Sequence, residues 1–365
     1  MKALTVIVDC QFGSTGKGLI AGYLAMRDKP DTIVTAWAAN AGHTYIDDAG
    51  RKYVHTMLAN GVVSPGLRQI LIGPGSVLDL DNLATEIALC RQHIEDHQAR
   101  IYIHVNAAVI MPWHRAEEEG TLNGGLGGMT KIGSTKKGVG AAMIQRIRRD
   151  PDHMNTIGSA QVRLHPLFDF PFVKIVGPYE YALLLESGNM VQVEGAQGYS
   201  LSMYHGFYPY TTSRDVTTAQ IMADCGIPAG MMNRMTVIGT MRTYPIRVAN
   251  RYDKEGNQVG WSGPTYPDQG EISFEEIGQQ QELTTVTKLP RRIFTFSEQQ
   301  AREAIKQCSV DEVFLNFVNY CKVLADVERI MNQVHLAGSY VRYLGYGPKV
   351  TDIEDRLAPM KGRMP

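Results

Sequence analysis

The chain has 365 residues, and Lys+Arg 36 against Asp+Glu 37 leaves a formal charge of −1. Apolar residues at 44% and charged residues at 20% describe a globular protein and exclude wholesale disorder. Near-neutral charge argues against a protein that coats nucleic acid through many phosphate contacts, and no apolar run approaches the ~20 residues that span a bilayer.

Leu4–Asp9 (L-T-V-I-V-D) is a β-branched run closed by a glycine-rich turn and reads as a buried parallel strand. A helix is expected from Lys17 to about Arg27. Further strands are expected over Thr32–Ala36, Tyr53–Leu58, Gln69–Ile72, Ile101–Val105, Met190–Val193, Arg234–Met241 and Glu312–Val318. Helical patterns lie between several of them, over Leu80–His97, Ala141–Arg149, Tyr179–Ser187, Gln299–Gln307 and Lys322–Val334. This alternation predicts an α/β fold with a mainly parallel central sheet covered by helices on both faces. There is no internal repeat and no low-complexity linker, so a single domain over 1–365 is expected, with the polar 250–270 stretch as a surface connection. The start of the chain enters a strand-like run, and a cytoplasmic protein without membrane contact is the expectation. Five cysteines with no C-x-x-C pair argue against a disulfide framework or a zinc site.

Chemistry concentrates where glycines cluster. Gly13-Ser14-Thr15-Gly16-Lys17-Gly18 sits between a strand and a helix, where backbone N–H groups and a helix N-terminus can receive phosphate. It is not a Walker A motif, because Gln11 and Gly18 stand where that motif needs glycine and Ser/Thr. Asn40-Ala41-Gly42-His43-Thr44 follows the second strand and should reach the same carboxyl edge, where open α/β sheets bind ligands. Lone histidines are more often structural than catalytic; one between Gly and Thr at a strand end is a better candidate for proton or charge work. Lys131–Arg149 carries Lys131, Lys136, Lys137, Arg146, Arg148 and Arg149 with no acid among them. Such a run is ordinarily a solvated helix face, but with Gly133-Ser134-Thr135 near its start it suits a phosphomonoester. Glu194-Gly195-Ala196-Gln197-Gly198 follows a strand, where the Gln197 amide could read a base edge. Thr284–Thr287 precedes Arg291-Arg292, a set of hydroxyls and guanidiniums suited to a small carboxylate. The residues alone describe a phosphoryl-transfer or ligase-type enzyme with two phosphate-bearing ligands and an anionic third.

Together these segments resemble the adenylosuccinate synthetase family. That family's Q-W-G-D-E-G-K-G is similar to Gln11–Gly18, its N-A-G-H-T is Asn40–Thr44 unchanged, and its E-G-A-Q-G is Glu194–Gly198. Its I-G-T-T resembles Ile132–Thr135, and its H-G-T-Y-P-Y-V-T-S resembles His205–Ser213. The resemblance implies a P-loop-like fold with insertions. It also implies a two-step ligation, in which O6 of a purine mononucleotide is phosphorylated and L-aspartate then displaces the phosphate. Carried over, Thr15, Gly16, Lys17, Gly18, Gly42, Thr44, Asn319, Gly347 and Pro348 would bind the donor nucleotide. Ser14 and His43 would be catalytic, and Ser14, Asn40, Ser134, Thr135, Arg149, Gln197 and Thr212 would bind the mononucleotide. Thr285, Val286, Thr287, Arg291 and Arg292 would hold aspartate. Mg²⁺ would be ligated by the Gly42 carbonyl, with Ser14 a further ligand. Arg149 would reach the site of a second subunit, which implies a homodimer.

Three departures from the family shape the expected substrates. The family's catalytic aspartate is Ser14 here, a poor general base; its neutral hydroxyl leaves room for, and can accept from, a purine 2-amino group. The N1 proton would then go to Ser14, relayed through water or phosphate. The family reads guanine with T-K-L-D, whereas Asn316-Phe317-Val318-Asn319 offers the donor and acceptor that adenine requires. An arginine of T-T-G-R-R-R-R that would meet the ribose 2′-hydroxyl becomes Leu289. These changes resemble the phage branch of the family and imply dGMP, L-aspartate and ATP or dATP as substrates, in a route to 2-aminoadenine DNA. The alternatives are an ordinary family member acting on IMP with GTP, and a nucleotide-binding pseudo-enzyme. A nucleic-acid module fits least, because the basic run has no interleaved aromatics.

Overall fold

The computed structural model describes residues 3–40, 42–121, 129–284 and 288–357. Leu4, Val6 and Val8 of the first strand pack into one apolar cluster and Ile7 into another, so its alternate residues are buried on opposite faces. A strand that is apolar on both faces belongs in the middle of a sheet covered twice. Ala3–Asp9 is indeed central, paired in parallel with Met190–Glu194 on one side and Met235–Arg242 on the other.

Ten strands form this sheet among the described residues. Their order is Ile353–Asp355, Tyr340–Gly345, Glu312–Asn316, Met235–Arg242, Ala3–Asp9, Met190–Glu194, Thr32–Thr35, Gln69–Ile72, Arg100–His104 and Val173–Val176. All pairings are parallel except that of the edge strand Ile353–Asp355 with Tyr340–Gly345. Helices Lys17–Asp28, Leu80–Asp96, Pro178–Ser187, Glu298–Cys308 and Leu324–Leu336 match the expected periodic segments to within a few residues at each end. The carboxyl ends of the strands carry the glycine-rich loop, Gly195–Gly198 and the 316–320 turn to one edge. Among the described residues no helix is long and apolar enough to cross a membrane.

Two expectations are corrected. The run Tyr53–Leu58 is not a strand of the sheet: Lys52–His55 pairs with His43–Ile46 in a separate antiparallel ribbon. Its continuation is prevented by Glu86, whose carboxylate accepts from the amides of Thr56, Met57 and Leu58 at 2.6, 2.9 and 2.8 Å, taking the donors a ladder would use. The 250–270 stretch is not merely a surface connection. It contains an Arg251–Tyr252 and Gln258–Gly260 ribbon, and Ser262 and Tyr266 are buried. The buried Arg247 guanidinium draws it in, donating to the carbonyls of Ser262, Pro264 and Tyr210. Strands Val173–Val176 and Tyr340–Gly345 also escaped the sequence reading.

Gly18 explains one departure from a P-loop. A Cβ there would lie 2.9 Å from both the amide nitrogen and the carbonyl oxygen of Thr44, so the first helix can touch the His43–Ile46 strand only if position 18 lacks a side chain. Replacing a helical glycine by alanine ordinarily stabilises by about 1 kcal/mol. Gly18→Ala should instead destabilise by about 1–3 kcal/mol through overpacking, read as a lower melting temperature; a raised one would contradict this packing.

Candidate active site

A cleft of about 540 Å³ opens at the carboxyl edge of the sheet, within the range of small-ligand sites. It brings together most residues singled out from the sequence: Ser14, Thr15, Gly16, Lys17, Gly18, Asn40, Gly42, His43, Thr44, Thr135, Gln197, Arg291, Asn319, Gly347 and Pro348. Ser134, Arg149, Thr212 and Arg292 are not among its lining residues. Ser134 lies beside it, its hydroxyl accepting from the Lys136 amide at 3.2 Å. Thr212 is tied to the rim by donating its amide to the Leu201 carbonyl at 2.7 Å. Arg149 is exposed at the C-terminal cap of helix Val139–Arg148. Arg292 is committed elsewhere, to Glu271 at 2.8 and 2.6 Å and to Ser262 and Gly263. Thr285, Val286 and Thr287 lie outside the described residues.

The floor of the cleft is shaped by Asp9, the acid that ends the first strand. Its Oδ1 accepts from the amides of Gln11 and Gly13 at 2.9 and 3.2 Å. Its Oδ2 accepts from Thr15 Oγ1 at 2.5 Å and Lys17 Nζ at 2.9 Å. Lys17 Nζ also donates to the Gln197 carbonyl at 2.8 Å, which leaves its third proton for a ligand. Gly16 caps the following helix at φ 97°, with no side-chain cap and no acid in the first turn. Among the described residues the first-turn amides therefore have no side-chain partner, and they present a positive end to an anion.

Above this floor His43 is held from both sides. Its Nδ1 donates to Glu194 Oε1 at 2.7 Å, and its ring packs against Trp37 with centroids 4.1 Å apart. Glu194 is held in turn by the Asn60 amide at 2.8 Å and the Asn60 side chain at 3.2 Å. Burial pushes the His43 imidazole below its ordinary value, with Glu194 pulling the other way. The bond to Glu194 leaves Nε2 toward the cleft, and that atom can donate only as an imidazolium whose charge Glu194 balances. On the neighbouring wall Gln197 Nε2 donates to Asn40 Oδ1 at 2.7 Å, an amide pair that can read a base edge.

The opposite wall holds a second charged group. Arg291 Nη1 donates to Ser14 Oγ at 3.0 Å, and burial pushes its guanidinium down to about 10. A hydroxyl has two lone pairs, so Ser14 can accept one more bond. Arg242, at the end of its strand and buried, forms a two-nitrogen ion pair with Glu282. Sequence reading missed Glu194 as the partner of His43, and missed Asp9, Arg242 and Glu282. Asp9 and Glu194 carried a signal, since each is an acid terminating a mostly apolar strand run; the Arg242–Glu282 pair joins distant segments and carried none.

A glycine-rich loop with outward helix amides, a carboxylate-backed histidine and an amide pair line one cleft, an arrangement able to pass a phosphoryl group between two nucleotide-sized ligands. The chain belongs to the adenylosuccinate synthetase family, whose model matches residues 6–166 and 176–358, and it is thereby a carbon–nitrogen ligase. It is 50% identical over 368 residues to the N6-succino-2-amino-2′-deoxyadenylate synthase of Salmonella phage PMBT28, covering 97% of each chain. It is 31% identical over 300 residues to the adenylosuccinate synthetase of Pyrococcus sp. (strain ST700), covering 81% of this chain and 78% of that one. The solved structure of cyanophage S-2L succinoaminodeoxyadenylate synthetase, bound to dGMP and dATP as an energy donor, superimposes with a TM-score of 0.88 at 47% identity, covering 97% of this chain and 95% of that one.

His43→Ala should lower kcat at least ~10²-fold, as losing a positioned acid or charge stabiliser does. Glu194→Gln should lower it at least ~10-fold with the fold intact. Because Glu194 favours the charged imidazole, its loss lowers the His43 pKa further, so the alkaline limb of the kcat/KM profile should move to lower pH. An unmoved limb would contradict the coupling of the two residues.

Proposed function

We propose that this protein joins dGMP to L-aspartate at the expense of ATP or dATP, giving N6-succino-2-amino-2′-deoxyadenylate, ADP or dADP, and phosphate, for 2-aminoadenine DNA synthesis. The observation that carries this reading is the neutral Ser14 hydroxyl, held by Arg291 at the loop and retaining one acceptor site. A carboxylate at this place would crowd the C2 edge of the purine, whereas a hydroxyl accepts a bond from the exocyclic amine. The relatives at about half identity over nearly the whole chain support the same substrates.

In this reading the donor's phosphates lie on the Gly16–Gly18 amides and the free proton of Lys17. Asn319 on the 316–320 turn pairs with the adenine edge opposite Gly347 and Pro348. The purine O6 attacks the donor's γ-phosphorus as N1 gives up its proton through Ser14, relayed by water or phosphate; the bond to the leaving nucleoside diphosphate breaks, and His43 Nε2 stabilises charge on the transferring group. The aspartate amine then attacks C6, and the C6–O bond breaks to release phosphate. Asn40, Gln197, Thr135 and Thr212 position the mononucleotide. Val248, Ala249 and Leu289 give the cleft an apolar stretch, which suits a sugar without a 2′-hydroxyl, since a hydroxyl there would be left unpaired. Arg291 meets an aspartate carboxylate.

Mg²⁺ is a proposed part of the site. Among the described residues no group of three or more His, Cys, Asp or Glu side chains converges, and all of Asp9's close contacts are with protein donors. The donor set fits an ion that takes most of its oxygens from phosphates and water, with the Gly42 carbonyl as its protein ligand; Ser14 Oγ, whose two lone pairs go to Arg291 and the purine 2-amino group, is not a ligand in this reading. The ion would neutralise phosphate charge. Arg149, exposed at its helix end, would contribute to a partner's mononucleotide site in a homodimer. The whole chain would act as one domain in the cytoplasm of the infected host.

Phosphate release with Mg²⁺ and L-aspartate, crossing dGMP, GMP, dIMP and IMP against ATP, dATP and GTP, tests this reading. Turnover is expected with dGMP and an adenine donor; turnover with IMP and GTP would return the protein to ordinary purine synthesis.

A further inference from the structure

One carboxylate joins two walls of the cleft that the reaction uses separately. Glu282 accepts from both terminal nitrogens of Arg242, Nη1 at 3.2 Å and Nη2 closer, and from the Tyr320 hydroxyl at 2.9 Å. Arg242 lies over the Phe317 ring, its guanidinium carbon 3.6 Å from the ring centroid. Phe317 takes φ 59° and is pinned at both backbone atoms, its amide donating to Asn316 Oδ1 at 2.8 Å and its carbonyl accepting from Thr243 Oγ1 at 2.7 Å. Asn319 and Tyr320 follow in the same short turn. At the other end the Arg291 amide donates to the Glu282 carbonyl at 2.9 Å, and Arg291 Nη1 reaches Ser14. Thr284 and Leu289 close the arm between them, with the Thr284 amide donating to the Leu289 carbonyl at 2.8 Å. None of Arg242, Glu282 and Tyr320 has a part in the chemistry described above.

We propose that Glu282, gripped by Arg242 and Tyr320, is a positioning residue that couples the donor-base turn to the arm presenting Arg291 to Ser14. The inference rests on the reading of Asn319 as the donor-base contact and Arg291 as part of the aspartate site. A base seated on the 318–320 turn fixes the Tyr320 ring and with it one of the bonds that orient Glu282. Arg242 holds both carboxylate oxygens, sharing Oε1 with Tyr320, so the Glu282 backbone, and the Arg291 amide bonded to it, keep one geometry. A ligand that orders either end then lowers the ordering cost of the other, and the effect is reciprocal.

The test uses the intact enzyme with dGMP and Mg²⁺ present. The Kd of the unreactive donor adenosine 5′-(β,γ-imido)triphosphate is measured by calorimetry without and with saturating L-aspartate. In the wild type aspartate should tighten the analogue by about 5-fold or more, the lower end of typical coupling. Tyr320→Phe, which removes a single hydroxyl, should bring that ratio below about 2-fold, a loss of most of that coupling, while leaving the melting temperature near wild type. Glu282→Gln should lose the coupling too, with a lower melting temperature, since the buried Arg242 guanidinium then loses its counter-charge. A Tyr320→Phe ratio equal to that of the wild type, or a wild-type ratio of one, would overturn the coupling. A wild-type enzyme that binds no adenine analogue at all would instead overturn the donor reading beneath it.

Discussion

Everything at the cleft hangs from the carboxylate of Asp9. Its two oxygens gather the amides of Gln11 and Gly13, the hydroxyl of Thr15 and the ammonium of Lys17. Those contacts turn the chain from the central strand into the first helix and leave that helix's N-terminal amides facing outward. Gly198 packs so close to this turn that a Cβ on it would lie 2.3 Å from the Gly13 amide nitrogen. The 194–198 segment is therefore fixed against the loop, and the carbonyl of Gln197 shares Lys17 with Asp9. A charge-assisted network of this kind, buried and satisfied, rigidifies a site more than its separate bonds suggest.

A second polar chain, running from helix Leu80–Asp96 to His43, sets the wall that carries this histidine. Glu86 stops the strand after His55 by holding the 56–58 amides; the turn that follows delivers Asn60, which holds Glu194, which holds His43. The histidine is thus oriented by residues that do not line the cleft, as a proposed catalytic group's outer partners would be. His55, directly across the ribbon from His43, is pushed down to about 4 by burial, so no second positive charge competes for Glu194 at neutral pH.

The sequence was most legible where local pattern and final position coincide. The strand–loop–helix at residues 4–28, Asn40–Thr44 and Glu194–Gly198 each sit at a strand's carboxyl end, and topology then gathers them without further information. It was least legible where a distant side chain overrides local preference. Tyr53–Leu58 has good strand composition, yet Glu86 takes its donors. The 250–270 stretch is polar, yet Arg247 draws its carbonyls inward. Arg291 and Arg292 look equivalent in the chain, but extended backbone sends neighbours to opposite faces; one reaches Ser14 and the other Glu271.

The central claim is that a neutral side chain at position 14 selects a purine bearing a 2-amino group. In the loop that Asp9 holds, Ser14 takes φ 58° and meets Arg291 rather than a base of its own. An aspartate there would pair with Arg291 and set a second acceptor oxygen against the C2 edge. The most direct measurement is the ratio of kcat/KM for dGMP to that for dIMP, in the wild type and in Ser14→Asp. The account predicts a ratio well above one in the wild type that falls several-fold or more in the variant. An unchanged ratio would place Ser14 away from the 2-amino group and contradict the account.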